Sequence, residues 1–330
     1  MEKNSDLIEW LYSNGGPIIR YRTAAELMDD ATGIDIHHLY QEVCECSEVQ
    51  RWLDNLGRAK NIHGSKDTDA ENPLAKLLEY GLTANNPAFN EKILPLFVRL
   101  PQSYHPITLS PFLIRAGYYQ NPFIVDWFKG RLEGMYNAAR RGTYDFYLTD
   151  EEASKVPKAW CGKPIYKPEY DQEYLLPTCY DFYAMAYSPV DEPQTKEVIE
   201  KIIAYLSAPQ FQWTVGGYQW DRKKKRCYAA GRVYLACVNL QRLVLFMALG
   251  ARFASVRDSQ WFKEGLEKLE GYRTTRGTYS FPRDLLIEKK NSYYIYGGAH
   301  MGLGEDRRME KALELESTFW MMKIKQLMTV

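Results

Sequence analysis

Apolar residues recur along this chain in runs that stop at a small or turn-forming residue and restart as an amphipathic pattern a few residues later. Gly81 and Gly117 end the first two runs, and an Asn-Pro pair follows each of them. Glycine supplies the left-handed residue that ends a helix, while Asn and Pro begin the next helix. The pattern predicts five helix–break–helix units in series, with breaks at 81–87, 117–122, 185–193, 247–258 and 301–306.

The N-terminal part of the chain predicts one more hairpin. Apolar residues at helical spacing cover 5–29, with a break at 14–17, where Pro17 suits the first turn of the second helix. A further helix is expected over 36–56, followed by a polar loop over 58–72. With the five repeats this makes about six helical hairpins, at intervals too irregular for a uniform solenoid.

A short string occurs twice. Residues 141–146 and 276–281 differ only at Asp145 against Ser280, and both follow a predicted outer helix. A Gly that bends the chain and a Tyr/Phe pair that packs beneath it suit equivalent turns of a repeat. We expect a structural role for both copies.

Composition narrows the class of protein. The 42 basic and 42 acidic residues cancel, so no global field favours nucleic acid or an anionic membrane. No apolar stretch approaches the ~18 residues that a membrane span requires, and the start of the chain has no apolar signal segment. We therefore expect a soluble cytoplasmic protein with one domain over 1–330, made of N-terminal helices (1–60) and repeated hairpins (61–330).

Cysteine and tyrosine usage bear on chemistry. The six Cys show no paired framework, and Cys44-Glu45-Cys46 has no second pair to complete a zinc site, so neither a metal nor another cofactor is expected. The 25 Tyr suit either the walls of a wide, partly wet cavity or the spaces between helices. The basic run 222–226, close to Trp213 and Trp220, is interpreted as a solvated turn.

The chain resembles the α/α-toroid proteins of the squalene cyclase and protein prenyltransferase type. The segments 8–11, 19–23 and 313–319 and the Leu-x-x-x-Gly turns carry the resemblance, which covers nearly the whole chain and is strongest to bacterial stand-alone single-toroid relatives. It implies an all-α fold, an α/α toroid in which about six hairpins form an inner and an outer ring around a central cavity.

The catalytic motifs of those families are not matched. The Asp-x-Asp-Asp acid of the cyclases has its nearest string at 67–71, without the final Asp, and the Asp-x-Cys zinc pair of the prenyltransferases is reversed in Cys179-Tyr180-Asp181. The resemblance therefore transfers the fold better than the activity.

Loops that lead into inner helices would form one rim of such a ring, where helix N-termini direct positive dipole ends. On that rim the segment 61–69 combines a histidine, a cation and carboxylates, a set that can raise one carboxyl pKa and make it an acid. The alternative is that the two aspartates of the segment cap the following helix. The candidate catalytic residues are His63, Asp67, Asp69 and Asp181.

Other polar residues on the predicted rim are candidates for ligand binding. They are Lys66, His105, Tyr180, Arg232, Tyr293, Tyr294 and His300. Asp181 lies among apolar neighbours and needs a partner such as Arg232 or a helix N-terminus, so a structural ion pair is as well supported as catalysis. A zinc site made by the rim histidines is not expected, because their spacing matches no known ligand set.

The leading functional hypothesis is a cyclase- or prenyltransferase-like toroid that holds or converts a small apolar ligand, such as an isoprenoid, in an aromatic cavity. A non-catalytic scaffold that binds a protein partner is one alternative, and a carbohydrate-active (α/α)6 enzyme is the other. The sequence leaves open whether the chain is an enzyme.

Overall fold

The computed structural model describes residues 2–28, 33–100, 106–160, 162–171, 174–189, 192–212, 217–221, 226–230, 240–297 and 300–329. The described chain is predominantly helical, as the sequence predicts, and the predicted all-α class is confirmed. Its strands are β1 (Gly217–Asp221) and β2 (Arg226–Ala230), which pair antiparallel with Gly217 opposite Ala230. None of the helices within these ranges is long and apolar enough to cross a membrane.

The first half of the chain contains nine helices within the described ranges. They are α1 (Glu2–Asn14), α2 (Pro17–Glu26), α3 (Ile36–Glu45), α4 (Ser47–Gly57), α5 (Glu71–Glu79), α6 (Pro87–Arg99), α7 (Pro106–Ala116), α8 (Pro122–Arg141) and α9 (Asp150–Ala153). The helices that follow are α10 (Cys179–Tyr187), α11 (Pro193–Ser207), α12 (Pro209–Gln212), α13 (Leu240–Gly250), α14 (Ala254–Arg257), α15 (Gln260–Glu270), α16 (Tyr294–Gly297) and α17 (Ala312–Leu327).

The predicted turns form where the glycines and Asn-Pro pairs stand. Gly81 and Gly117 have left-handed φ values of 89° and 103°. Asn86 accepts a hydrogen bond from Phe89 N at 2.8 Å and so caps α6, in the manner expected of an N-cap Asn before Pro. Both copies of the repeated string also turn at a left-handed glycine, Gly142 and Gly277.

Two predicted elements were wrong. The single helix expected over 36–56 is two helices, because Cys46 adopts an extended ψ of 131° between α3 and α4. The helix–break–helix unit expected around 301–306 is irregular, and the regular helix begins only at Ala312. There the carbonyls of His300 and Gly302 accept hydrogen bonds from the buried Lys76 ammonium, at 2.9 and 2.6 Å, instead of helical N–H groups.

Six helices pack in an unbroken series and are called the core helices: α2, α5, α7, α10, α13 and α17. In this series α5 contacts α7, α7 contacts α10, α10 contacts α13, α13 contacts α17, and α17 contacts α2. Other helices flank them, with α1 against α2 and α17, α4 against α5 and α6, α8 against α7 and α11, and α15 against α13. The main apolar core extends from Leu7 in α1 to Leu327 in α17.

Long connections lead into the N-terminal ends of four core helices, whereas short turns leave the C-terminal ends of three. The segments 58–70, 142–178, 213–239 and 271–311 precede α5, α10, α13 and α17. Residues 80–86, 117–121 and 188–192 are the short turns that follow α5, α7 and α10. In repeat folds such long insertions gather on the functional face, so the N-terminal ends of the core helices are where a site is expected.

The left-handed turn after α5 can be tested with Gly81→Ala. Alanine at this position would have a disfavoured φ, and its Cβ would lie 2.8 Å from the ring of Tyr21. We therefore expect the unfolding free energy, measured by urea titration, to fall by about 1–3 kcal/mol. Gly130→Ala is the matched control, because Gly130 lies within α8 with open space around it, and alanine there should be neutral or stabilising by up to about 1 kcal/mol. Equal effects of the two substitutions would contradict this account of the turn.

Candidate functional site

Helix α5 is buried on every side although it carries several polar and charged residues. Glu71, Asn72, Lys76 and Glu79 are each no more than 1% exposed. A buried charge is costly unless it is paired and hydrogen-bonded, so each of these side chains requires a partner from another part of the chain. The partners of Glu71 and Glu79 define two polar sites, one at each end of the helix, while Lys76 between them pairs with Glu288 at 2.5 Å.

The N-terminal end of α5 holds a carboxyl–imidazole pair. His63 Nδ1 lies 2.5 Å from Glu71 Oε2, and the Tyr180 hydroxyl donates to Glu71 Oε1 at 2.7 Å. The Glu71 side chain is wholly buried, whereas that of His63 is 24% exposed. Tyr293 packs beside the imidazole, with its ring centroid 5.1 Å away. His63 is therefore the member of the pair that a ligand from outside can reach, and Glu71 lies behind it.

The loop before α5 folds back so that His63 lies over the first turn of the helix. Backbone N–H groups of Ala70 and Glu71 donate to the carbonyls of Asn61 and Ile62, at 2.9 and 3.1 Å. The Asn72 side chain donates to the carbonyls of Gly64 and Lys66, both at 2.9 Å. These bonds close the loop on itself and fix the position of the imidazole.

Asn72 also connects this loop to the start of α16. Its side-chain oxygen accepts a hydrogen bond from Tyr294 N at 3.1 Å, which holds the adjacent Tyr293 beside His63. Tyr180 comes from the first turn of α10 and packs edge-to-face against Phe112 of α7. The site thus draws side chains from the beginnings of two core helices, with Phe112 of a third behind them.

Burial and pairing shift both pKa values of the pair upward. Burial raises the pKa of Glu71, and the hydrogen bonds from His63 and Tyr180 only partly offset it. Burial acts against the charged form of His63, but the hydrogen bond and the charge of Glu71 outweigh it and raise the pKa of the imidazole. The pair therefore holds a proton more tightly than either free group, which suits reversible proton transfer.

Two of the predicted catalytic aspartates organise the loop. Asp69 is buried, and its carboxylate accepts hydrogen bonds from Lys66 N at 2.9 Å and from the Asn61 side chain at 3.1 Å. Asp67 accepts from Asn291 N at 2.7 Å and so links the loop to the segment before α16. Lys66 is exposed. The structure brings His63 and these aspartates into one loop, with the aspartates on the supporting side of it.

His300 lies next to that link rather than beside His63. Its ring is 2% exposed, packs edge-on against Trp52 at 4.9 Å, and places Nε2 3.9 Å from Asp67 Oδ1. Burial lowers the pKa of His300 to about 4, and the nearby Lys76 charge adds to the effect. At neutral pH the ring is uncharged and belongs to the packing beneath the loop.

Asp181 has a defined structural partner in Arg131 of α8. The Arg131 guanidinium donates to both carboxylate oxygens at 2.8 and 2.5 Å, and Thr178 completes a capping box with Asp181 at the start of α10. This ion pair fixes the first turn of α10, from which Tyr180 reaches Glu71. Asp181 thereby acts on the site by positioning Tyr180.

The C-terminal end of α5 holds a second group of polar residues, buried or partly buried, called the Glu79 cluster: Arg22, Glu26, Glu79, Arg115, Tyr183 and Tyr294. Arg115 donates to both carboxylate oxygens of Glu79, at 2.5 and 3.1 Å, and to the Tyr183 hydroxyl at 2.7 Å. Tyr294, a predicted ligand residue, donates to Glu79 here. The neighbouring tyrosines Tyr293 and Tyr294 thus serve different sites.

The remaining candidates, His105 and Arg232, lie outside the described residues. Within the described ranges, no group of three or more His, Cys, Asp or Glu is arranged to hold a metal ion. Glu71, the buried acid of the site, was not among the residues predicted from the sequence. The available signal was its position eight residues after His63, at the start of an apolar run that ends in Gly81.

The neutral state of His300 makes a prediction about acid stability. Its folded pKa of about 4 lies below the ordinary value near 6.5, so the unfolded chain binds the proton more tightly and unfolding free energy should fall as pH drops from 6.5 to 4. The expected contribution is about 3 kcal/mol over this interval. His300→Asn tolerates the left-handed φ of 66° and should lose this part of the dependence, measured by urea unfolding at several pH values. An unchanged slope in the variant would refute the assignment.

Comparisons with protein-family models, with curated proteins and with solved structures find no match for this chain. What the site can do therefore follows from its own geometry and chemistry.

Proposed function

We propose that the core helices form the inner ring of an α/α toroid, whose polar mouth is the end that holds His63. The continuous series of contacts from α5 through α7, α10, α13 and α17 to α2 supports this arrangement. Arg22 of α2 supports closure of the ring, because it donates to the backbone carbonyl of Glu79 in α5 at 2.8 Å. The long connections before the core helices would then surround the mouth.

We further propose that this toroid is an acid–base enzyme, with His63 as the proton-exchanging group and Glu71 as its buried partner. The carrying observation is the 2.5 Å contact between a partly exposed imidazole and a fully buried carboxyl group. Glu71 fixes the orientation of the ring and stabilises its charged form, and Tyr180 fixes the carboxyl group in turn. A ligand group within reach of His63 would donate a proton to the pair or take one from it.

The surroundings of the pair indicate the kind of ligand. Tyr293 and Tyr180 lie beside the imidazole, and Phe112 packs behind Tyr180. Aromatic faces suit the apolar body of a ligand, isoprenoid-like or similar, while the raised pKa values make the pair a weak acid. Such an acid suits proton transfer at oxygen, nitrogen or an activated carbon, and is a poor match for protonation of an isolated alkene.

A second candidate function is that of a toroid scaffold that binds a protein partner. The Glu79 cluster favours it, because the side chains that meet at the C-terminal ends of the core helices are charged groups paired with one another rather than the apolar lining of a ligand cavity. The His63–Glu71 pair distinguishes the two functions, because a scaffold does not require a proton-exchanging pair at the N-terminal ends of the core helices.

The acid–base proposal can be tested with Glu71→Gln, which keeps the shape of the side chain but not the proton exchange. The full chain would be incubated with isoprenoid alcohols and esters, and with neutral oligosaccharides as a separate panel, and products followed by mass spectrometry. We expect turnover of one isoprenoid class by the wild type and a loss of about 10²–10⁴-fold in the variant, with ligand retention in native mass spectra preserved.

Glu314→Gln is the matched control, because Glu314 is another buried glutamate but binds Arg276 and Thr278. It should retain turnover. Wild-type activity only on oligosaccharides would favour the carbohydrate-active alternative, and equal turnover by Glu71→Gln and the wild type would overturn the role of the pair. Absence of turnover and of ligand retention would favour the scaffold.

A further inference from the structure

The C-terminal ends of the core helices bring together more positive than negative charge. Around the Glu79 cluster the described cations are Arg22, Arg115, Arg252 and Lys323, against the carboxylates Glu26 and Glu79. Each core helix other than α10 supplies at least one of these charges from its last turns or from the turn that follows, and α10 supplies Tyr187. This part of the molecule is remote along α5 from the His63 pair.

The two carboxylates are already engaged. Glu79 is held by Arg115 on both oxygens, with Arg22 3.6 Å away. Glu26 is held by Arg22 at 2.5 Å, and Lys323 lies 3.4 Å from its other oxygen. The pKa of Glu26 falls to about 2 because the attraction of Arg22 outweighs burial, so Glu26 is ionised throughout the neutral range.

Arg252 is the cation left over. Within the described residues no carboxylate pairs with it, and its buried Nε has no hydrogen-bond partner there. Arg20 and Arg307 also have unpaired Nε atoms, but their other nitrogens bind Glu42 and Glu316. An arginine that is half-buried without an acid is expensive to maintain unless something else supplies the negative charge.

The Tyr187 ring contacts both Arg252 and Arg115. The Arg252 guanidinium lies 4.7 Å from the centroid of the Tyr187 ring, and the Arg115 guanidinium lies 4.4 Å from it. Stacking on an aromatic ring fixes the plane of a guanidinium and leaves its edge N–H groups available for a planar or tetrahedral oxyanion. Arg252 is therefore held in a fixed orientation in which its guanidinium can bind an anion.

Lys323 adds a second cation at the same place. Burial lowers the pKa of Lys323, and the charges of Arg22 and Arg252 lower it further, although Glu26 opposes them. The Lys323 side chain is 15% exposed and that of Glu26 is 24% exposed, so this edge of the cluster is open to solvent. A small anion can therefore reach it from outside.

We propose that Arg252 and Lys323, beside Tyr187, bind a compact oxyanion, the phosphate or carboxylate group of a small ligand. This site is independent of the His63 pair, so the proposal does not require that pair to be catalytic. The anion would supply the negative charge that the described carboxylates do not provide for Arg252. Partial negative charge at helix C-termini also favours cations, so the experiment must separate a structural cation from a ligand-binding one.

The test is isothermal titration of the full chain with inorganic phosphate, with acetate in a second series, at constant ionic strength set by chloride. We expect saturable binding to the wild type. The anion with the lower dissociation constant identifies the oxyanion class, phosphate or carboxylate. Arg252→Gln should weaken binding by at least about tenfold, since a charge-assisted hydrogen bond is lost. Arg252→Lys should weaken it less.

Arg140→Gln is the matched control. Arg140 also lies over a tyrosine, with its guanidinium 5.9 Å from the Tyr136 centroid, but it belongs to the flanking helix α8. This variant should bind as the wild type does. If Arg252→Gln does not fold, Lys323→Met tests the same site with Arg252 intact and should also weaken binding. No saturable binding of either anion by the wild type, or unchanged affinity in the Arg252 and Lys323 variants, would overturn the proposal.

Discussion

The burial of charged and polar side chains on helix α5 is the constraint on which the rest of the structure depends. Each group on this helix is satisfied by different segments: Glu71 by the preceding loop and α10, Lys76 by the Glu288 carboxylate and the carbonyls before α17, and Glu79 by α2 and α7. An unpaired buried charge would cost several kcal/mol, so these segments cannot move independently of α5. Apolar packing alone would tolerate many arrangements of similar helices, whereas these directional bonds select one.

The two ends of α5 differ in chemistry because the core helices direct opposite dipole ends toward them. The N-terminal end, where carboxylates are favoured, holds Glu71 with a proton-sharing histidine. The C-terminal end, where cations are favoured, holds an excess of arginine and lysine around Glu79. In our proposals the first end performs proton transfer and the second binds an oxyanion. One buried helix thereby connects both sites through residues eight positions apart.

Local signals made much of the fold predictable. Gly81 and Gly117 turn left-handed and Asn86 caps α6, because these roles depend on a few adjacent residues. The break at Cys46 was not predictable in this way, since neither Gly nor Pro marks it. At the site, His63 was predicted from its polar loop, but Glu71 was not. Whether a carboxyl group is buried depends on contacts with segments far along the chain, such as Tyr180.

The most direct test of the central claim is a measurement of the His63 pKa by NMR, in the wild type and in Glu71→Gln. The ring nitrogen signals of the five histidines can be assigned by single substitutions and followed against pH. We predict a His63 pKa above the ordinary value near 6.5 in the wild type, and a fall when the carboxyl group is replaced, because the charge of Asp69 is then all that remains to oppose burial. A wild-type pKa at or below 6.5, unchanged by the substitution, would contradict the proton-sharing pair.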